Sequence, residues 1–324
     1  MKLISTLVAT ATATVFAASP AMAEKWDMPM AYSASNYHSE NGVLFAKCVT
    51  EATAGKLEIV THPGGSLFKG GEIKRAVQTG QAPIGERLLS AHANENPLFG
   101  VDSVPFVATS FDASEKLWKA ASDKLKAALD AQNLVYVYAV PWPAQGLYFK
   151  KPVEKVADMK GLKFRAYNAA TARIAELAGM VPVQIEAADL SQALATGVAE
   201  SFISSGSTGY DRKVWEHLTH FYDVQAWLPR NTVMVNKEAY NALDAGSQKA
   251  IMTCGDKAAA SGLAKAKELT DFYLKGLTKG GMKVLEPGAG LKQELGDFGK
   301  TMSAEWLKEA GDDGKAIMDA FQKM

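Results

Sequence analysis

The sequence predicts an α/β protein built as two lobes, and three observations carry that reading. Strand and helix signals alternate along most of the chain, the pattern of sheets covered by helices. The chain has 324 residues, and about 300 remain after an N-terminal export signal, enough for two cores of ordinary domain size. The last third is richer in helix, with one long periodic stretch able to run between two lobes.

Taken in order, Trp26–Ala31 reads as an opening strand. Asn36 can cap a helix through Leu44, Phe45, Cys48 and Ala52, which Gly55 ends. Leu57, Ile59 and Thr61 alternate as a strand that Pro63-Gly64-Gly65 stops. A short helix places Ile73, Ala76 and Val77 on one face and has Gly80 past its end. Pro83 to Glu86 reads as the tip of the next strand. Ser114–Ala131 is a helix and Leu134–Val140 a strand. Leu162–Tyr167 is a strand, followed by a helix over Thr171–Ala178 that Gly179 closes. Val183–Ile185 is a strand, Asp189 caps a helix through Ala195, and Glu200–Ser204 is again a strand. Asp244 caps a long helix toward Lys279 with a candidate break at Gly255, and Gly280-Gly281 ends it. Met282–Leu285 is a last strand. From Leu291 onward the chain is helical, interrupted near Gly311–Gly314.

Lys2, the apolar stretch Leu3–Ala18 and Ala21-Met22-Ala23 form a secretory signal with cleavage expected before Glu24. No later run reaches the ~20 apolar residues of a membrane span. The mature protein is therefore expected in the periplasm. Lys and Arg together number 35 and Asp and Glu together 35, so charge gives no case for nucleic acid or an anionic membrane. The two cysteines, Cys48 and Cys254, lie far apart. Cys48 sits among apolar helix neighbours, which favours a buried free thiol over a bridge.

The search for catalytic machinery is negative. The sequence has no G-x-S-x-G elbow, phosphate loop, H-E-x-x-H or C-x-x-C. Ser66 to Lys69 matches S-x-x-K without its supporting motifs, and chance accounts for it. His217 and His220 have i, i+3 spacing but no clear third ligand, so packing is favoured over a metal site. No cofactor is expected. In α/β sheets, ligands bind outside the carboxyl ends of strands, where Glu86, Arg165 and Ser204 all fall. Arg165 follows Phe164 in a short strand, a poor place for a surface ion pair. Its planar fork suits a carboxylate. Pro141 and Pro143 stiffen the exit of the preceding strand and hold Trp142 and Gln145. Trp142 suits ligand stacking and interlobe packing equally. Glu86 suits either a ligand contact or an ion pair with Arg87 or a lysine.

From Val156 to Ser205 the chain resembles the solute-binding subunit of a tripartite ATP-independent periplasmic (TRAP) transporter, the DctP type. The residues that carry this are ADMKGLKFRAYNAAT and PVQIEAADLSQALATGVAESF. GKLEIVTHPGGSLFKGGEIKRAVQTG upstream and VMVNKEAYNAL downstream extend it over nearly all of the mature chain. The resemblance implies a venus-flytrap fold with a ligand cleft and a long helix spanning both lobes. It implies no enzymatic activity, and delivery of a small ligand to a membrane permease driven by a sodium gradient. It divides the chain into residues 24–143 with 229–267 as lobe I, and 144–228 with 268–324 as lobe II. It places Arg165 on the ligand's carboxylate.

The chain departs from the family pattern in three places. A second arginine common in the family is replaced by Gln145, a cleft asparagine by Ser204, and the residues after the arginine are Ala166-Tyr167-Asn168. Losing a cation disfavours a dicarboxylate and points to a monocarboxylate, aromatic or hydroxylated ones included. Trp142 and Phe68 offer flat apolar surfaces, and Trp227 closes the apolar side. Gln145, Ser204 and Asn168 are expected to supply hydrogen bonds. A zwitterion or small amine fits instead if Glu86 faces the ligand. A periplasmic enzyme on a similar scaffold and a ligand-free sensor remain as readings from other classes.

Overall fold

A computed structural model describes residues 23–324; the export signal expected at the N-terminus lies outside the described residues. The first lobe is laid down by β1 (Glu24–Pro29), α1 (Tyr37–Ala52), β2 (Leu57–His62), α2 (Gly70–Gln78), β3 (Ile84–Leu88), α3 (Phe111–Asp130) and β4 (Leu134–Pro141). The chain then crosses to β5 (Gln145–Phe149), β6 (Lys163–Ala166), α4 (Ala169–Leu177), β7 (Val181–Gln184), α5 (Leu190–Ala195), β8 (Ser201–Ser205), α6 (Gly206–Asp211) and β9 (His220–Tyr222). It returns through β10 (Arg230–Asn236) and α7 (Lys237–Ala242) to the helix α8 (Ala245–Lys279), then β11 (Lys283–Leu285) and α9 (Ala289–Gln322).

Two sheets result. In the first, β10 runs antiparallel between β3 and β4. The parallel pair β1–β2 joins its edge through a bridge from Met30 to Glu86. The second has the order β11-β9-β5-β8-β6-β7. Residues 142–144 and 223–229 carry the chain between them. These ribbons are paired, with Trp142 N–H donating to the Pro229 carbonyl at 2.8 Å and Gln145 N–H to the Trp227 carbonyl at 2.9 Å. The two sheets are thus linked by two short segments that pair with each other.

α8 is the third link. Its first half lies on β4, where glycines at 255 and 262 allow close approach: a Cβ at either would meet Val137 or Val140 at under 3 Å. Its second half meets α6, with Tyr273 and Leu274 against Gly206. The helix runs unbroken for 35 residues, so the break considered at Gly255 is absent. Gly255 meets a packing need rather than a turn. α9 does bend at Gly311, whose φ of 57° lies in the left-handed region. Trp306 and Ile317 of α9 join Leu117, Ala121 and Leu125 of α3 in one buried cluster.

Three strands escaped the sequence reading: β5, β9 and β10. All are fully buried, so they lack the two-residue alternation that marks a half-exposed strand. Asp189 precedes α5 without capping it by its side chain. His220 lies in β9 and His217 before it, so the two share no helix face.

The cysteine expectation is overturned. Cys48 of α1 and Cys254 of α8 form a disulfide with Cα atoms 5.8 Å apart. The apolar neighbours of Cys48 pointed to a buried free thiol, but Cys48 is half-buried and bonded. What the linear sequence hid was that the helix packed there is α8, 206 residues away.

Candidate functional site

Strand direction explains which side chains meet. β6 and β8 are parallel, so Arg165 and Ser204 sit near carboxyl ends on the same edge. β5 is antiparallel to β8, which brings its first residue, Gln145, to that edge beside Ser205. In the other lobe β3 and β4 are both antiparallel to β10 and hence parallel to each other. Arg87 and Leu88 at the end of β3 therefore face the same way as Trp142 just past β4. The two edges oppose one another across the crossings.

Between them lies a small, narrow hollow lined by Tyr32, Arg87, Trp142, Gln145, Arg165, Tyr167, Glu186, Ser204 and Thr208 among others. Arg165 is 3% exposed. Its Nε donates to the Ile185 carbonyl at 2.8 Å, and its guanidinium carbon stands 4.9 Å from the Tyr167 ring centroid. Neither terminal NH₂ group hydrogen-bonds another described residue. Burial, with the Arg87 charge adding to it, pulls the Arg165 guanidinium below its ordinary value, while Tyr167, Tyr32 and Glu186 oppose this. A buried, braced cation with two free donors in a fork is suited to one carboxylate.

Arg87 is equally buried but already engaged. Its Nη1 and Nη2 donate to the two carboxylate oxygens of Glu186 at 3.0 and 2.9 Å. Sequence reasoning offered Arg87 as a partner for Glu86. Adjacent strand residues point to opposite faces, and Arg87 meets the far lobe instead.

Of the residues singled out from sequence, Arg165, Trp142, Gln145 and Ser204 line the hollow. Trp142 donates its indole N–H to Asn231 at 2.8 Å and stands edge-on to Tyr32 at 4.7 Å. Gln145 lines the hollow with its amide committed, donating to the Pro143 carbonyl at 2.9 Å and accepting from the Tyr167 hydroxyl at 3.0 Å. Four others stand elsewhere. Trp227 is fully buried behind Tyr167, donating to its hydroxyl at 3.2 Å. Asn168 caps α4 through Thr171 N–H and donates across the lobes to Ser90 at 3.1 Å, so it braces closure. Phe68 packs against the first lobe's core.

Glu86 is the fourth. It is buried behind the cleft wall, 3.6 Å from His38 Nδ1, and one of its oxygens has no partner among the described residues. A ligand amine held by Glu86 has no geometric support here. Burial pushes its carboxyl from the ordinary value up to about 7, with the neighbouring Asn231 amide opposing it. In the unfolded chain it ionises near 4.5. Between these values the folded state keeps a proton that the unfolded state has lost, so this group's contribution to stability falls as pH rises from 4.5 to 7. Glu86→Gln is expected to gain on the native protein by up to roughly 3 kcal/mol between pH 5 and pH 8, at about 1.4 kcal/mol per unit. Urea melts of both at the two pH values check this; a difference independent of pH would contradict it.

The sequence reading missed Tyr32, Glu186 and Thr208. Glu186 lay within the motif PVQIEAADLSQALATGVAESF, but nothing in linear spacing shows that it reaches Arg87, 99 residues earlier. Among the described residues, no helix is long and apolar enough to cross a membrane.

Comparison with known proteins matches this fold. A TRAP solute-binding protein from a marine metagenome (an unidentified microbe), described as specific for pyroglutamate and solved with co-purified pyroglutamate, is 60% identical and covers 93% of this chain and 99% of its own, with a TM-score of 0.92. DctP6 of Bordetella pertussis, an extracytoplasmic solute receptor binding pyroglutamic acid, is 48% identical over 93% of this chain and 100% of its own, with a TM-score of 0.91. The monocarboxylate 2-oxoacid-binding periplasmic protein of Nostoc sp. is 25% identical over 86% of this chain and 77% of its own. Residues 30–309 match the family model for bacterial extracellular solute-binding protein, family 7. The chain belongs to that family, the TRAP-type solute-binding proteins.

Proposed function

We propose that this protein captures pyroglutamate, a cyclic monocarboxylate, and presents it to a membrane permease. The observation that carries this is the single uncommitted arginine fork: Arg165 is braced by Ile185 and Tyr167, while Arg87, the other arginine lining the hollow, is paired with Glu186. The ligand specificity of the two pyroglutamate-binding relatives supports it. In this reading Arg165 holds the carboxylate, Tyr32 and Trp142 flank the ring, and Ser204 and Thr208 offer hydroxyls to the lactam. Gln145 acts through Tyr167, keeping it against Arg165. The lobes divide at the crossings near residues 143 and 228. They close because the ligand contacts both edges only in the closed state.

The protein works in the periplasm and leaves its ligand chemically unchanged. Thermal melts against L-pyroglutamate, pyruvate, succinate, L-proline and L-glutamine test this. A ligand at 100 times its Kd stabilises by about 2.7 kcal/mol, so pyroglutamate should raise the melting temperature most and be recovered intact. No response to any monocarboxylate would overturn the reading.

A further inference from the structure

We propose that Glu186 is a specificity-determining residue: by occupying Arg87 it leaves one cation free in the cleft and sets the preference for single carboxylates over dicarboxylates. This rests on the reading that the hollow binds an organic acid.

Two buried arginines line the hollow, one from each lobe, and each fork can hold one carboxylate bidentately. With both free, the site would suit a dicarboxylate. The stretch after β7 disposes of them differently. The Ile185 carbonyl takes only Nε of Arg165 and leaves its fork open. The next residue, Glu186, takes both terminal nitrogens of Arg87. With two arginines and one glutamate, the lining carries a formal charge of +1. A single carboxylate neutralises it. A second carboxylate would be buried without a partner, which is strongly unfavourable.

The pairing is built into the first lobe as well. α2 opens with Gly70-Gly71 against the ion pair. A Cβ at Gly70 would stand 2.6 Å from Arg87 Nη1 and 2.7 Å from Glu186 Oε2, and one at Gly71 would stand 3.4 Å from Glu186 Oε1. Glycine at position 70 leaves room for the pair, whereas a side chain at 71 would make only ordinary contact. The amino end of the helix favours a negative charge there.

The test is the ratio of affinities for glutarate and L-pyroglutamate, measured calorimetrically. The native protein should prefer pyroglutamate by more than 100-fold. Glu186→Ala frees the Arg87 fork and should shift the ratio toward glutarate by at least tenfold. Any loss of interlobe contact weakens both ligands and cancels in the ratio. Glu186→Gln, which keeps side-chain size, should shift it in the same direction by less, and serves if the alanine variant does not fold. Adding Arg87→Met to Glu186→Ala should abolish the gain. Native binding of pyroglutamate with an unchanged ratio in the Glu186 variants, or a gain that survives loss of Arg87, would overturn the inference. Failure of the native protein to bind either acid would instead overturn the functional reading on which it rests.

Discussion

Arg165→Ala is expected to weaken pyroglutamate binding by about 2–5 kcal/mol, the usual cost of truncating one side of a buried, hydrogen-bonded charge pair. That corresponds to roughly 30-fold to several-thousand-fold in Kd. Arg165→Lys keeps the charge without the fork and should recover only part of the loss. The side chain is buried against Tyr167 and bonded to Ile185 through Nε, so its terminal nitrogens are presented with little freedom left to lose. Melting each variant without ligand separates loss of binding from loss of fold. Unchanged affinity in a folded Arg165→Ala protein would remove Arg165 from the site.

The second large effect concerns the bridge between α1 and α8. Cys48 and Cys254 close a loop spanning 206 residues. The chain-entropy argument gives a long loop the larger benefit, and removal of a native disulfide typically costs about 2–5 kcal/mol. Cys48→Ser with Cys254→Ser should therefore lower the melting temperature by several degrees, and reduction of the native protein should do the same. The bridge also fastens α8 to the first lobe close to where Gly255 and Gly262 seat it on β4. Since α8 continues into the second lobe, loosening it should also weaken ligand binding. Matching denaturation midpoints for the native and double-serine proteins would show that the bridge adds nothing.

The sequence made the alternation of strands and helices legible, because most helices carry a visible start and stop. Asn36 and Asp244, both read as caps, do cap by their side chains, whereas the Ser110 cap was missed and its helix was read as starting at Ser114. The buried strands β5, β9 and β10 were missed, since polarity does not alternate along a strand covered on both faces. The site was legible in part for the same kind of reason. Arg165 was singled out because a charge at the end of a short apolar strand has few structural uses, and it does line the hollow. Glu86 was misplaced because strand position is visible in sequence, whereas the face a strand presents depends on its partners. The Arg87–Glu186 pair and the Cys48–Cys254 bridge were invisible because each joins elements 99 or more residues apart.

The central claim is that one uncommitted arginine fork holds the single carboxylate of a cyclic acid. The most direct measurement is a crystal structure of the protein grown with L-pyroglutamate. The carboxylate oxygens should lie about 2.7–2.9 Å from Nη1 and Nη2 of Arg165, with the Arg87–Glu186 pair intact. A carboxylate seated on Arg87, or a ligand bound with Arg165 left unengaged, would contradict it.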